Sequence, residues 1–182
     1  MNRLAIIAVM LASASAHAEP AAELHAAPPA TADAEPTDVF GTQPLAIIAR
    51  GIEVSYERRV LPAFSAVALG GAMADASGDM SSLTLMLGGE LRWWPLRTMR
   101  RLYVGAHVSA ARTSLSDGMG TVGASIGMHE RIDVGWRFVA GSHVAITPSL
   151  GFGAREDIDE SGRLATTVHP AVSFGIELGW MR

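Results

Sequence analysis

The chain has 182 residues, enough for one domain with a leader and a tail. It is 49% apolar with a mean hydropathy of +0.25, yet beyond its first residues no apolar run of about 18 offers a membrane-spanning helix. The formal charge of −4 argues against a nucleic-acid partner, and the lack of cysteine excludes disulfides, thiolate chemistry, a cysteine zinc site and a lipoprotein anchor.

Residues 1–18 read as a secretory signal peptide. Arg3 supplies the positive start, Leu4 to Ala12 the apolar stretch, and Ala16-His17-Ala18 the small residues a signal peptidase reads. Residues 19–38 are rich in Ala, Pro, Glu, Asp and Thr, with prolines at 20, 28, 29 and 36 and no periodicity. Such a segment cannot bury enough apolar surface to offset its chain entropy, so it is expected to be a disordered periplasmic tail.

From residue 39 to 182 the period is two, the signature of half-buried strands. Strands are predicted near 52–58, 64–74, 83–94, 102–113, 121–136, 143–154 and 165–181. An even count is usual for bacterial single-chain barrels, so an eighth, poorly patterned strand is expected at 39–49. The clearest alternation is the last, where Val168, Pro170, Val172, Phe174, Ile176, Leu178 and Trp180 interleave with His169, Ala171, Ser173, Gly175, Glu177 and Gly179. Glu130 falls on the apolar side of 128–134, and a bulge there would restore the pattern. Acidic clusters at 75–81, 114–118 and 155–163 are expected as loops at one end, and segments 58–62, 95–101 and 137–142 as turns at the other.

The opposite faces decide inside from outside. The non-apolar faces carry Gly, Ser and Ala with an occasional charge, whereas a soluble surface is about a quarter to a third charged. Small residues suit a crowded lumen, so the apolar faces are expected to point outward to lipid. Lipid offers no hydrogen bonds, and a sheet within it must close. The fold expected is therefore all-β: a closed antiparallel up-and-down β-barrel of eight strands. Tyr56, Trp93, Trp94, Tyr103, Trp136 and Trp180, with Phe64 and Phe138, cluster near the basic turns and are expected as an interfacial aromatic girdle.

The Gly-punctuated strands (Leu87-Gly88-Gly89-Glu90, Leu102-Tyr103-Val104-Gly105, Pro148 to Gly153) and the closing Leu178-Gly179-Trp180 resemble small outer-membrane β-barrels of the OmpA-like and OmpX-like kind over residues 39–182. In that family the last strand commonly ends on an aromatic read by the barrel-assembly machinery; here Met181 and Arg182 follow Trp180. The resemblance implies a Gram-negative outer-membrane location, both termini in the periplasm, the acidic loops outside, and lipids and lipopolysaccharide as surroundings. It carries no specific activity.

Glu53, Glu57, Glu90, Arg92, Arg131, His169 and Glu177 are expected as an ionic network filling the lumen of a barrel too narrow to conduct as porins do. No cofactor or metal is called for, since the acidic loops lack a fixed ligand spacing. The expected role is structural or surface-interacting, without catalysis, as a monomer. Two alternatives stand beside it. His107-Val108-Ser109 resembles the His and Ser of outer-membrane lipid A deacylases, although Ala110 replaces the family's Asn. A soluble periplasmic small-ligand-binding barrel would instead turn Val172, Phe174 and Ile176 into a pocket.

Overall fold

The computed structural model describes residues 36–117, 119–159 and 167–182. The expected signal peptide, all but the last residues of the expected tail, and the apex of the 155–163 loop lie outside that range. Within it run β1 (Asp38–Thr42), a one-turn helix α1 (Pro44–Ile48), β2 (Gly51–Leu61), β3 (Phe64–Ser77), β4 (Met80–Trp93), β5 (Arg101–Ser116), β6 (Thr121–Ala140), β7 (Val144–Asp159) and β8 (Thr167–Met181). Each strand pairs antiparallel with the next, and β1 pairs with β8, so the described residues form a closed eight-stranded up-and-down barrel.

The register fixes its geometry. Partners followed once around from Leu178, through Thr42, Val54, Gly70, Leu87, Ala110, Met128 and Glu156, lead back to β8 at Val168, ten residues away. A stagger of ten over eight strands tilts them by about 40° and leaves an interior that side chains can fill. The barrel begins and ends at one rim, where Thr37 N–H donates to the Arg182 carbonyl (3.0 Å) and Arg182 N–H donates to that of Asp38 (2.9 Å).

On β2 and on β4 to β8 the large apolar side chains point mainly outward; on β3 the outward face is mostly Ala, and Val67 and Leu69 point inward and are buried. Leu85, Ile146 and Phe174 are 54%, 39% and 63% exposed, and Val172 also faces out, so these β8 residues line no pocket. Glu57, Glu90, Arg92, Asp133, Arg137 and Glu177 are buried instead.

Several expectations are corrected. The segment 39–49 is only half strand: β1 stops at Thr42, and Pro44, whose fixed φ suits the first helical position, starts α1. Arg50, with φ of 57°, turns the chain into β2. Consequently only residues 178–181 of β8 pair with β1; the upper part of β8, including Pro170, has a strand partner on the β7 side alone. Proline, lacking an N–H, is suited to such a free edge. No bulge interrupts 128–134, where both ladders of β6 run in unbroken register and Glu130 stands exposed on the outer face.

The loops are shorter than expected. β3 and β4 continue to a Ser77–Met80 pair, and Gly78 takes the positive φ (60°) that this two-residue turn requires. Residues 114–116 and 155–159 are likewise strand, and β6 runs through 137–140. In the upper hairpins side chains on both faces meet solvent, so the alternation fades although the pairing persists.

Candidate functional site

The parity of the strands brings five charged side chains together low in the lumen. Arg92 of β4 donates to Glu57 (2.7 Å), Glu90 (3.0 Å) and Glu177 (3.0 Å), and Arg137 of β6 donates to Glu57 at 2.6 Å. Ser65 donates a short hydrogen bond to Glu57, and Thr147 accepts one from Arg137 Nε (3.1 Å). Ions at this depth are costly to desolvate, and mutual pairing offsets that cost.

An apolar plug closes the lumen beneath this cluster. Val39, Trp94, Met99, Tyr103, Ala145 and Met181 pack together at the rim where β1 begins and β8 ends. Trp94 packs against Tyr103 with ring centroids 5.1 Å apart, and the two rings hold Arg137 and Arg92 over their faces. Trp94 Nε1 donates to Ser65 (2.8 Å).

Trp94 and Tyr103 are therefore not part of an outer girdle, as expected from their nearness to a turn. Trp94 shares the inward parity of Glu90 and Arg92, and Tyr103 that of Gly105 and His107. The exposed aromatics at this rim are Phe40, Trp93, Trp136, Phe138 and Trp180, with half-buried Tyr56 tilted against Phe40 at 4.9 Å and bonded to Asp38.

One step higher lies a second group. His107 and Ser109 of β5 are buried and face inward, with Nε2 3.1 Å from the serine hydroxyl. Arg131 donates to Asp133 (2.9 Å) and to His107 Nδ1 (3.3 Å). Asp133 Oδ2 stands 4.0 Å from Nδ1. A guanidinium can only donate, so in this arrangement Nδ1 accepts, the ring proton sits on Nε2, and the serine receives that proton's hydrogen bond. This is the reverse of the tautomer that would activate Ser109 as a nucleophile.

Of the residues named from the sequence, Glu57, Glu90, Arg92 and Glu177 meet in one cluster. Arg131 joins the neighbouring group, and Glu53 lies half-buried above both. His169 stands apart and exposed: it has the parity of Glu177 but sits eight residues farther up β8, beyond the filled part of the lumen. Asp133 and Arg137 were not singled out. Arg137 belonged to an expected turn, and continued alternation of Trp136 and Phe138 with Arg137 and Val139 is the signal that places it on the inner face.

A void of about 20 Å³, room for a single water, remains between Glu53, Glu90, Arg92 and Glu177. Above it a cavity of about 200 Å³ is lined by small or flexible residues such as Gly71, Met73, Met86, Ala111 and Ser125. Glu53 borders both. No family of known proteins, no curated protein and no solved structure matches this chain.

Proposed function

We propose that the chain is an integral outer-membrane β-barrel with a structural or surface-interaction role and no catalysis, exported by its leader and inserted with its termini in the periplasm. One observation carries this reading: outward residues such as Leu85, Ile146 and Phe174 are exposed while Glu57, Glu90, Arg92, Asp133, Arg137 and Glu177 are buried, the inverse of a water-soluble barrel.

Two features support it. From Trp93 to Leu83 the outward apolar face runs ten residue steps, which at about 3.3 Å per residue and a tilt of about 40° rises roughly 25 Å, the height of a bilayer's apolar band. Among the described residues, five of the seven exposed aromatics gather at the rim where β1 begins and β8 ends, where an interface girdle belongs, and Phe152 and Phe174 stand farther up the outer face. Glu130 and Arg112, the latter opposite Leu85, are the features most at odds with a lipid-facing surface; a carboxylate costs less there than a guanidinium, and either costs least away from the midplane. The filled lower lumen leaves no solute channel, so the upper hairpins are the surface for interaction. Kinship with OmpA-like and OmpX-like barrels belongs to the same proposal, as do lipopolysaccharide and the barrel-assembly machinery as partners.

The test uses cells carrying one tag near Asp157 and another at the C-terminus. Proteinase applied to intact cells should remove the first and spare the second, and the protein should leave the membrane fraction only with detergent. Release by carbonate alone, with both tags protected, would overturn the proposal.

A further inference from the structure

We infer that the lumen holds a divalent-cation site formed by Glu90, His107 and Asp133, with the Arg131 side chain occupying the cation's place when none is bound. The inference stands on the lumen alone and does not depend on where the barrel resides.

Three observations converge. Glu90, His107 and Asp133 are all buried, and each directs a ligand atom to a point where the three atoms lie within 4.8 Å of one another. They come from adjacent strands β4, β5 and β6, whose register sets Glu90 opposite His107.

Secondly, Glu90 is split in its duties. Its Oε2 accepts from Arg92, whereas its buried Oε1 has no hydrogen-bond partner among the described residues. That oxygen reaches over Gly105, where any Cβ would collide with it, so the strand makes room for an acceptor that no described residue satisfies.

Thirdly, the charges do not balance. Five carboxylates around the lower lumen (Glu53, Glu57, Glu90, Asp133 and Glu177) face three guanidinium groups (Arg92, Arg131 and Arg137), a surplus of two negative charges. Uncompensated charge in a low-dielectric interior is costly, and one divalent ion cancels this surplus.

The donor set selects the kind of ion. One imidazole nitrogen with two carboxylate oxygens suits a first-row transition cation such as Zn²⁺ rather than Ca²⁺ or Mg²⁺. Ligands about 2.0–2.2 Å from a tetrahedral ion stand roughly 3.5 Å apart, so the present spacing needs to close by little more than 1 Å. The Nδ1 lone pair is already in place, because Arg131 holds the ring proton on Nε2 and Ser109 accepts from it, and such a bond to the far nitrogen orients a ligating imidazole. Arg131 is the less buried partner, 27% exposed against 4% for Asp133, and is free to swing toward Glu53 as an ion enters from the upper cavity.

The test is Zn²⁺ titration of the untagged, full barrel folded in detergent, by calorimetry and by metal content after desalting. Wild type should retain one Zn²⁺ per chain. His107→Gln and Glu90→Gln should each weaken binding at least about tenfold, and Arg131→Gln, which removes the competing cation, should tighten it at least about tenfold. Heat-modifiable gel mobility verifies that each variant is folded. Should Glu90→Gln fail that check, Co²⁺ spectra decide: the visible band of wild type should be altered in His107→Gln. No retained Zn²⁺, equal binding by wild type and His107→Gln, or an Arg131→Gln variant no tighter than wild type would each overturn the site.

Discussion

The lower and upper halves of the lumen share one backbone plan and differ in what fills it. Below, long side chains from β2, β4, β6 and β8 interlock through Arg92 and Arg137 and sit on the Trp94–Tyr103 plug. Above, the inward positions are Gly71, Ala111, Ser125 and Gly127, the cavity is ten times larger, and β8 lacks a neighbour on its β1 side. Inward parity places a residue within the barrel but does not by itself create a core. The barrel's resistance to unfolding belongs to the lower half, and the upper half is free to vary.

Arg92→Met is the severest way to break that division. It keeps the volume but leaves Glu90 without its cation and Glu57 and Glu177 with Arg137 alone, and removing one partner from a buried ionic cluster costs roughly 3–5 kcal/mol. Urea unfolding of the detergent-folded barrel should show the loss; a change under about 1 kcal/mol would mean the cluster is water-filled and the lower half no firmer than the upper. Gly135→Ala comes next. The Tyr103 ring lies directly against Gly135, so a methyl group must displace it, at about 1–3 kcal/mol. Trp94→Phe keeps the ring packing and loses the bond to Ser65, which should cost about 1 kcal/mol in the same assay.

How much of this was legible beforehand follows the same boundary. In the lower half each strand has a dry inside and an apolar outside, and the alternation of Glu90 and Arg92 with Leu91 and Trp93 announced both. The eight-stranded closed barrel followed from it. What was missed has physical causes. Trp94 and Tyr103 were read by distance from a turn, although their parity with Arg92 and His107 points inward. Leu45 to Ile48 is a short apolar run that suits strand or helix alike, and Pro44 was the discriminating residue. Arg137 was concealed by the expectation that polar residues near Gly141 make a turn. The grouping of Glu90, His107 and Asp133 depends on inter-strand register, which no single strand's pattern carries.

The upper cavity sharpens the comparison from the opposite side. Ala111→Leu adds three heavy atoms to an inward position, as large an intrusion as any made below. There is room for it, so stability should change by less than about 1 kcal/mol, against the cost of overpacking expected at Gly135. A loss of 2 kcal/mol or more in urea unfolding would show that the upper wall is as tightly built as the lower.

The smallest effect separates the two halves by their electrostatics. Arg50 and Asp75 pair at 3.2 Å across the β2–β3 edge, much as Arg92 pairs with its carboxylates, but their side chains are 68% and 71% exposed. Water solvates both ions whether or not they meet, and holding two mobile side chains together offsets most of the attraction. Asp75→Asn should therefore change stability by no more than about 0.5 kcal/mol at low salt. At about 1 M salt, where the screening length falls to roughly 3 Å, the difference should vanish. Arg92→Met should keep its penalty at the same salt concentration, because counterions do not reach its partners. If both variants responded to salt alike, the lower cluster would be as open to solvent as the hairpins, and the division between a held base and a variable top would fail.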